Sequence, residues 1–322
     1  MLSIEVARFR ARTLAALRAF FDERGYLEVD TPILAPELIP EAHIEPFATD
    51  LLDPCDPGIA ERRFLVPSPE VWMKRLLARG YGNIYYLGKV FRNSESRSRI
   101  HHPEFTMLEW YTVEADAESQ EDLTARLLAH LCARLCERTP HTEGCRTVGA
   151  PVERLTVAGS FARYAGLDGF RFDAPGSLRR AAAQLGLRVG PQESDEDLFQ
   201  RILLTHVEPA LPTDRPVILA DYPALVPTLA RAHGATCERW ELYLAGMEIA
   251  NCYTEERDPS RLAEFLSHEA ARKRDARVRH PPAESLLEFA SAPACSGAAL
   301  GVDRLIMALL GLREIAGVIF FP

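Results

Sequence analysis

The 322 residues include 37 basic and 46 acidic side chains, a net charge of −9, with 47% hydrophobic and 26% charged residues. A folded chain of this size removes roughly 75% of its surface from water, so a core forms without metal or disulfide, and the composition excludes a disordered or fibrous chain and gives no support to non-specific polyanion binding. No run of about 18 apolar residues spans a bilayer, arginines interrupt the apolar N-terminal pattern where a signal peptide has none, and the seven cysteines, an odd number without a C-x-x-C pair, point to the cytoplasm.

Val6, Phe9, Leu14, Leu17 and Phe21 recur at helical spacing, so residues 3–24 are predicted to form a helix ended by Gly25. GYLEVDTPIL, residues 25–34, reads as a strand, and residues 35–63, rich in Pro, Asp and Glu, as loop with short edge strands. EVWMKRLLARG, residues 70–80, reads as a short helix; IYYLGKVFRN and HHPEFTMLEWYTVEA, either side of SESRSR, read as an antiparallel hairpin; residues 118–138 return to helical spacing. Residues 139–235 form a variable middle section with two helical patches, 177–188 and 195–205. ERWELYLAGMEIANCYTE, residues 238–255, is a second strand pair broken at Ala245-Gly246. A basic helix over residues 259–279, with Arg272, Lys273, Arg274, Arg277 and Arg279, precedes a small-residue strand that runs into an apolar helix, CSGAALGVDRLIMALLGL. Helices over a mainly antiparallel sheet define an α+β class, read as one domain over residues 1–322.

Strand alternation puts Glu109 and Tyr111 on one face of MLEWY, and Asn251, Tyr253 and Glu255 on one face of NCYTE. Such a face suits either solvent or a ligand carrying amines, because an unpaired buried carboxylate is costly. Arg92 ends an apolar run and Arg304 follows Gly301 at a helix start, which suits a surface ion pair or the grip of a guanidinium on phosphate or carboxylate. GAALGVDR matches neither a P-loop nor a dinucleotide-binding turn. His101 and His102 point to opposite faces of a strand, an arrangement ill-suited to one shared zinc ion. Cys132 and Cys136, four apart on a helix, read as small buried hydrophobes.

In this order the pieces resemble the catalytic core of class II aminoacyl-tRNA synthetases, most closely the lysyl-tRNA synthetases. The strand ending at Pro32 resembles motif 1, VFRN through HHPEFTMLEWY motif 2, and GAALGVDRLIMALLG motif 3, while PSPEVWMKRLL and GMEIANCYTE resemble two lysine-family segments. Motif 1 within the first 35 residues leaves no room for the anticodon-binding barrel of that family, so the resemblance sharpens to its stand-alone paralogue, the elongation factor P lysine lysyltransferase family, matched by length, PEFTMLEWY and ALGVDR. Ala299 stands where lysyl-tRNA synthetases have glycine, as in the paralogue, whose substrate is (R)-β-lysine.

The resemblance implies ATP and Mg²⁺, an aminoacyl-adenylate, and transfer to a lysine ε-amine of elongation factor P, with a homodimer built through motif 1 around Pro32 and tRNA not the expected acceptor. The competing expectations are a lysine-activating ligase with another acceptor and a catalytically inactive, ligand-binding paralogue. Residue by residue, it places Arg92 on the substrate carboxylate and α-phosphate, Arg304 on the γ-phosphate and Glu248 on Mg²⁺. Ser68, Glu70, Glu109, Tyr111, Asn251, Tyr253, Glu255 and Ala299 would surround the substrate, and Asn93, Ser94, His102, Ile249 and Gly301 would border ATP. Two departures stand out: Ser94 and His102 replace the family's usual Glu and Asn. Glu248 and Asn251, three apart, share one pocket only if a bulge or strand end intervenes.

Overall fold

The computed structural model of the protein describes residues 2–56, 58, 60–93, 98–136, 142–273 and 276–322. Helix α1 (Ile4–Asp22) starts where the Ser3 hydroxyl accepts from Val6 N and buries Phe9, Leu17, Phe20 and Phe21, as its spacing predicts. The strand expected over residues 25–34 splits into β1 (Leu27–Glu28) and β2 (Leu34–Ala35), with Pro32, which has no N–H for a ladder, between them. Strand β2 joins β3 (Phe47–Leu52) and β4 (Ala60–Leu65) in a small separate sheet, ordered β2-β4-β3.

Helix α2 (Glu70–Ala78) leads into the predicted antiparallel pair β5 (Ile84–Phe91) and β6 (Glu104–Val113), and α3 (Ala117–Leu135) follows behind a capping box at Asp116. The middle section is more regular than its sequence texture implies: α4 (Thr142–Val148), β7 (Glu153–Thr156), α5 (Val157–Ala165), α6 (Ser177–Gln184), α7 (Asp195–Ile202) and β8 (Val217–Pro223). Only α6 and α7 answer to the two predicted helical patches. After β9 (Ala232–His233), strands β10 (Thr236–Leu244) and β11 (Met247–Thr254) form the expected hairpin, turning at Ala245 and Gly246, whose φ of 51° and 77° are those a two-residue hairpin turn requires. Then come α8 (Pro259–Arg272), β12 (Cys295–Gly301) and α9 (Val302–Leu310).

The main sheet runs β1-β5-β6-β12-β11-β10-β8-β7, with β9 beside β10; pairs β1-β5 and β7-β8 are parallel and the other described pairs antiparallel, in keeping with the α+β reading. One face carries Trp110, Trp240, Ala250, Cys252, Ala298 and Leu300 against α1, α3 and α9, forming the largest apolar cluster. At one edge, α5, α6 and α7 bury Phe161, Leu178, Phe199 and Ile202 against Val217, Leu219 and Tyr243, so the middle section has a core of its own on the same sheet. The period-two partners of the first face project the other way and form the floor of a cleft.

Two further expectations are corrected. Cys136 is not a free buried thiol but is bonded to Cys145, because the end of α3 lies beside α4 with their Cα atoms 5.9 Å apart; Cys132 stays free. The basic helix stops at Arg272 and its cations turn inward: Arg272 pairs with Glu196 and Glu269, and Lys273 donates to Ile44 O, since the buried Glu269 needs cationic neighbours. Arg274 lies outside the described residues. The link from β6 to α9 is a buried charge pair absent from the sequence reading: Arg10 of α1 pairs with Asp303 and donates to Thr106 Oγ1 (2.7 Å), and Asp303 accepts from Thr106 N (2.7 Å).

Candidate active site

Strand β12 is the floor of the cleft and its register fixes the neighbours. Gly297 lies opposite Tyr111 on β6 and Tyr253 on β11, and Ala299 opposite Glu109 and Asn251. Small residues are needed here because large polar side chains flank them on both sides: a Cβ at Gly297 would come within 2.4 Å of Tyr111 Cε1 and 2.8 Å of Glu255 Oε1. Sequence alternation correctly groups Glu109 with Tyr111, and Asn251 with Tyr253 and Glu255.

Two chambers share this floor, with volumes near 290 and 300 Å³. The first is lined by all the residues expected around the substrate: Ser68, Glu70, Glu109, Tyr111, Asn251, Tyr253, Glu255 and Ala299. His102, Glu248, Ile249, Gly301 and Arg304 line the second. Arg92, Glu41, Arg239, Asn251 and Ala299 belong to both, so Arg92 stands where the chambers meet, its guanidinium 5.3 Å from the Phe105 ring centroid. Asn93 is placed differently from its expectation: its side chain donates to Pro46 O and its backbone N to Glu45 O, which ties motif 2 to the loop before β3. Ser94 lies outside the described residues.

The inner end of the first chamber is a carboxylate cage. Ser68 Oγ donates to Glu109 Oε2 (2.8 Å) and Tyr111 OH to Glu109 Oε1 (3.0 Å), while Tyr253 OH donates to Glu70 Oε1 (2.7 Å). Burial, then repulsion from Glu70, pushes the Glu109 carboxyl up to about 8. Glu255 also rises to about 8, again through burial first, against the opposing pull of Lys74. Among the described residues Glu255 Oε1 has no hydrogen-bond donor, and Oε2 meets the Lys74 ammonium at 2.7 Å. A site that holds carboxyl groups so far above their usual range is set for cations, whose arrival would let them ionise.

The second chamber is arranged for anions beside a carboxylate pair. Arg304 Nη1 donates to Glu248 O (2.9 Å), which fixes its fork at the chamber wall. The bulge that the spacing of Glu248 and Asn251 demands is present: the β10-β11 register passes from Leu242↔Ala250 to Tyr243↔Glu248, leaving Ile249 as the extra residue. The same register turns Glu241 to the cleft side, where it accepts from Tyr222 OH (2.5 Å), Tyr243 OH (2.8 Å) and Arg239 Nη2 (2.7 Å). Glu248 meets solvent through the chamber mouth although protein surrounds it on most sides; this surround, then Glu241, pushes its carboxyl up to about 7. A carboxylate raised by burial and by a like-charged neighbour fits a divalent cation bound through one or two carboxylates, the remaining ligands coming from phosphate and water. Among the described residues no group of three or more His, Cys, Asp or Glu side chains is arranged to hold an ion unaided.

Sequence reasoning missed Glu241, Arg239, Gly297, Glu41 and Lys74. Reading β10 with period two from Glu241 would have found Arg239, but strand pairing was needed to bring either to the cleft. The middle section, silent as sequence, contributes Glu196, Gln200 and Thr228 to the outer wall of the first chamber.

The family model described as tRNA synthetases class II (D, K and N) matches residues 3–322. The chain belongs to this class II synthetase family. Similar proteins bear the name "elongation factor P (R)-beta-lysine ligase": one from Yersinia enterocolitica is 36% identical over 323 residues, covering 97% of this chain and 93% of its own length. One from Vibrio vulnificus is 36% identical and one from Vibrio parahaemolyticus 35%, each alignment covering 99% of this chain and 96% of the relative. In this class II synthetase no described helix is long and apolar enough to cross a membrane.

Proposed function

We propose that this chain is an ATP-dependent ligase that activates (R)-β-lysine as an aminoacyl-adenylate and transfers it to a lysine ε-amine of elongation factor P in the cytoplasm. The observation that carries this reading is the meeting at Arg92 of a carboxylate cage suited to a diamino acid and a chamber suited to nucleotide phosphates. The names of its relatives supply the identity of the amino acid and the acceptor.

In the first step a carboxylate oxygen of the amino acid attacks the α-phosphorus of ATP and pyrophosphate leaves. The attacking carboxylate is already ionised at neutral pH, so the step needs alignment and charge stabilisation rather than a base. Arg92 holds the carboxylate and α-phosphate together, and Arg304, fixed by Glu248 O, receives the γ-phosphate. Ile249, Gly301 and His102 border the nucleotide. Glu248 and Glu241 are the residues that would hold Mg²⁺, which when bound neutralises phosphate charge. In the second step the acceptor amine attacks the adenylate carbonyl, AMP leaves, and the nitrogen gives up a proton. Glu41, in the wall shared by both chambers and pushed up to about 7 by burial and then Glu70, is the group suited to take that proton near neutral pH.

We read the chain as one catalytic domain that pairs through the segment around Pro32, where Ile4, Leu27, Ile33 and Leu34 are exposed. The deciding experiment is ATP–pyrophosphate exchange with (R)-β-lysine and α-lysine, followed by mass analysis of elongation factor P and of tRNA. Exchange that favours (R)-β-lysine, with one lysyl addition on the protein, is expected. Absence of exchange, or charging of tRNA instead, overturns the reading.

A further inference from the structure

Lys74 lies one helical turn after Glu70 on α2, and such an i,i+4 pair is ordinarily a solvated surface bridge. Here the lysine side chain has no exposure at all. Its Nζ is 2.6 Å from Glu70 Oε1 and 2.7 Å from Glu255 Oε2, with the rings of Tyr253 and Phe289 at 5.5 and 5.1 Å. A lysine is buried this completely only when paired, and both its partners are members of the amine cage.

We infer that Lys74 is a specificity-determining residue, a built-in ammonium that neutralises one of the three cage carboxylates and so matches the cage to a substrate with two amino groups. The inference rests on the lysine-binding reading of the chamber. Once a bound cation lets all three ionise, Glu70, Glu109 and Glu255 carry three charges between them; with one offset by Lys74, two remain for the two ammonium groups of a diamino acid. The groups that face one another here are Glu70 and Lys74 from α2, Glu109 and Tyr111 from β6, and Tyr253 and Glu255 at the end of β11. Burial opposes the charge on Lys74, but Glu255 and Glu70 more than offset this and its pKa is raised, so it stays protonated while Glu109 and Glu255 titrate. Removing it leaves the carboxylates with more mutual repulsion and a later ionisation.

The test is calorimetric binding of 1,5-diaminopentane and of pentylamine, probes that need neither ATP nor acceptor, so a failure of the transfer reaction does not touch the result. The intact protein should bind the diamine roughly 100-fold more tightly than the monoamine, because a monoamine leaves a cage carboxylate without a partner. Lys74→Met, close in volume, should weaken diamine binding by at least about 100-fold at neutral pH and move the pH of half-maximal binding up by about one unit. Lys74→Ala should recover affinity on addition of ethylammonium and not of propanol. Equal binding of both probes by the intact protein, an unmoved pH profile in Lys74→Met, or equal rescue by alcohol and ammonium overturns the inference. The first of these comparisons needs no variant to fold. Retained pyrophosphate exchange alongside equal probe binding would sink this inference while leaving the ligase reading intact.

Discussion

Removing one methyl at Ala299 should loosen the discrimination between lysine isomers. Ala299 sits at the join of the two chambers, flanked by Glu109 and Asn251, on the span between Arg92 and the amine cage. With the substrate carboxylate at Arg92, α-lysine and (R)-β-lysine differ in where the nearer amino group falls along that span, so one methyl in the floor acts on the difference between them. A single methyl or methylene in a pocket is worth about 1–3 kcal/mol, or roughly 10- to 200-fold in relative kcat/KM. The Ala299→Gly variant should therefore narrow the preference for (R)-β-lysine by at least about 10-fold, measured as the ratio of kcat/KM values in pyrophosphate exchange. Glycine in a strand also costs about 0.5–1 kcal/mol of stability, which a thermal melt reads separately. A ratio unchanged or widened in a variant that melts as expected would refute the steric reasoning.

Glu41→Gln should keep pyrophosphate exchange within about threefold of the parent while slowing transfer to elongation factor P by about 100-fold, the contribution typical of a general base; equal loss in both assays would place Glu41 in substrate binding instead. Because Glu109 and Glu255 are raised from about 4.5 to about 8 on folding, the native state holds more protons than the unfolded chain between these values, and stability is lost as pH rises through that window. Melting temperatures of the ligand-free protein should accordingly fall from pH 6 to pH 8.5, and saturating diamine should flatten the slope. Arg10→Met removes one partner of a buried pair and strands Asp303, so chemical denaturation should show a loss of about 3–5 kcal/mol. The double variant Arg10→Met, Asp303→Leu should recover part of it.

The parts of the site that local periodicity controls were legible in the sequence. Period two on β6 and β11 grouped Glu109 with Tyr111 and Asn251 with Tyr253, and the spacing of Glu248 and Asn251 called for a bulge or a strand end, of which the structure has the bulge, at Ile249. What stayed hidden depended on pairing or burial. Glu241 reaches the site only through its register with Asn251, Glu41 through a loop with no period, and Lys74 through a burial that its i,i+4 spacing disguises as a surface pair. The strand expected over residues 25–34 failed because propensity was read across Pro32. The middle section defeated pattern reading because short helices packed into a separate small core leave weak periodicity. Ser94, where the motif departs from the family, lies outside the described residues.

The amine cage brings together residues far apart along the chain: Ser68 bonds Glu109, 41 positions on, and Tyr253 bonds Glu70, 183 positions back. Its contact order is high, so no early local structure holds even half of it, and the cage exists only once β6, β12 and β11 have closed into one sheet. A diamine therefore has nothing to grip in a partly folded chain. At 100 times its dissociation constant it would add about 2.7 kcal/mol to the native state alone, and the amplitude of that response counts the molecules that have completed the sheet.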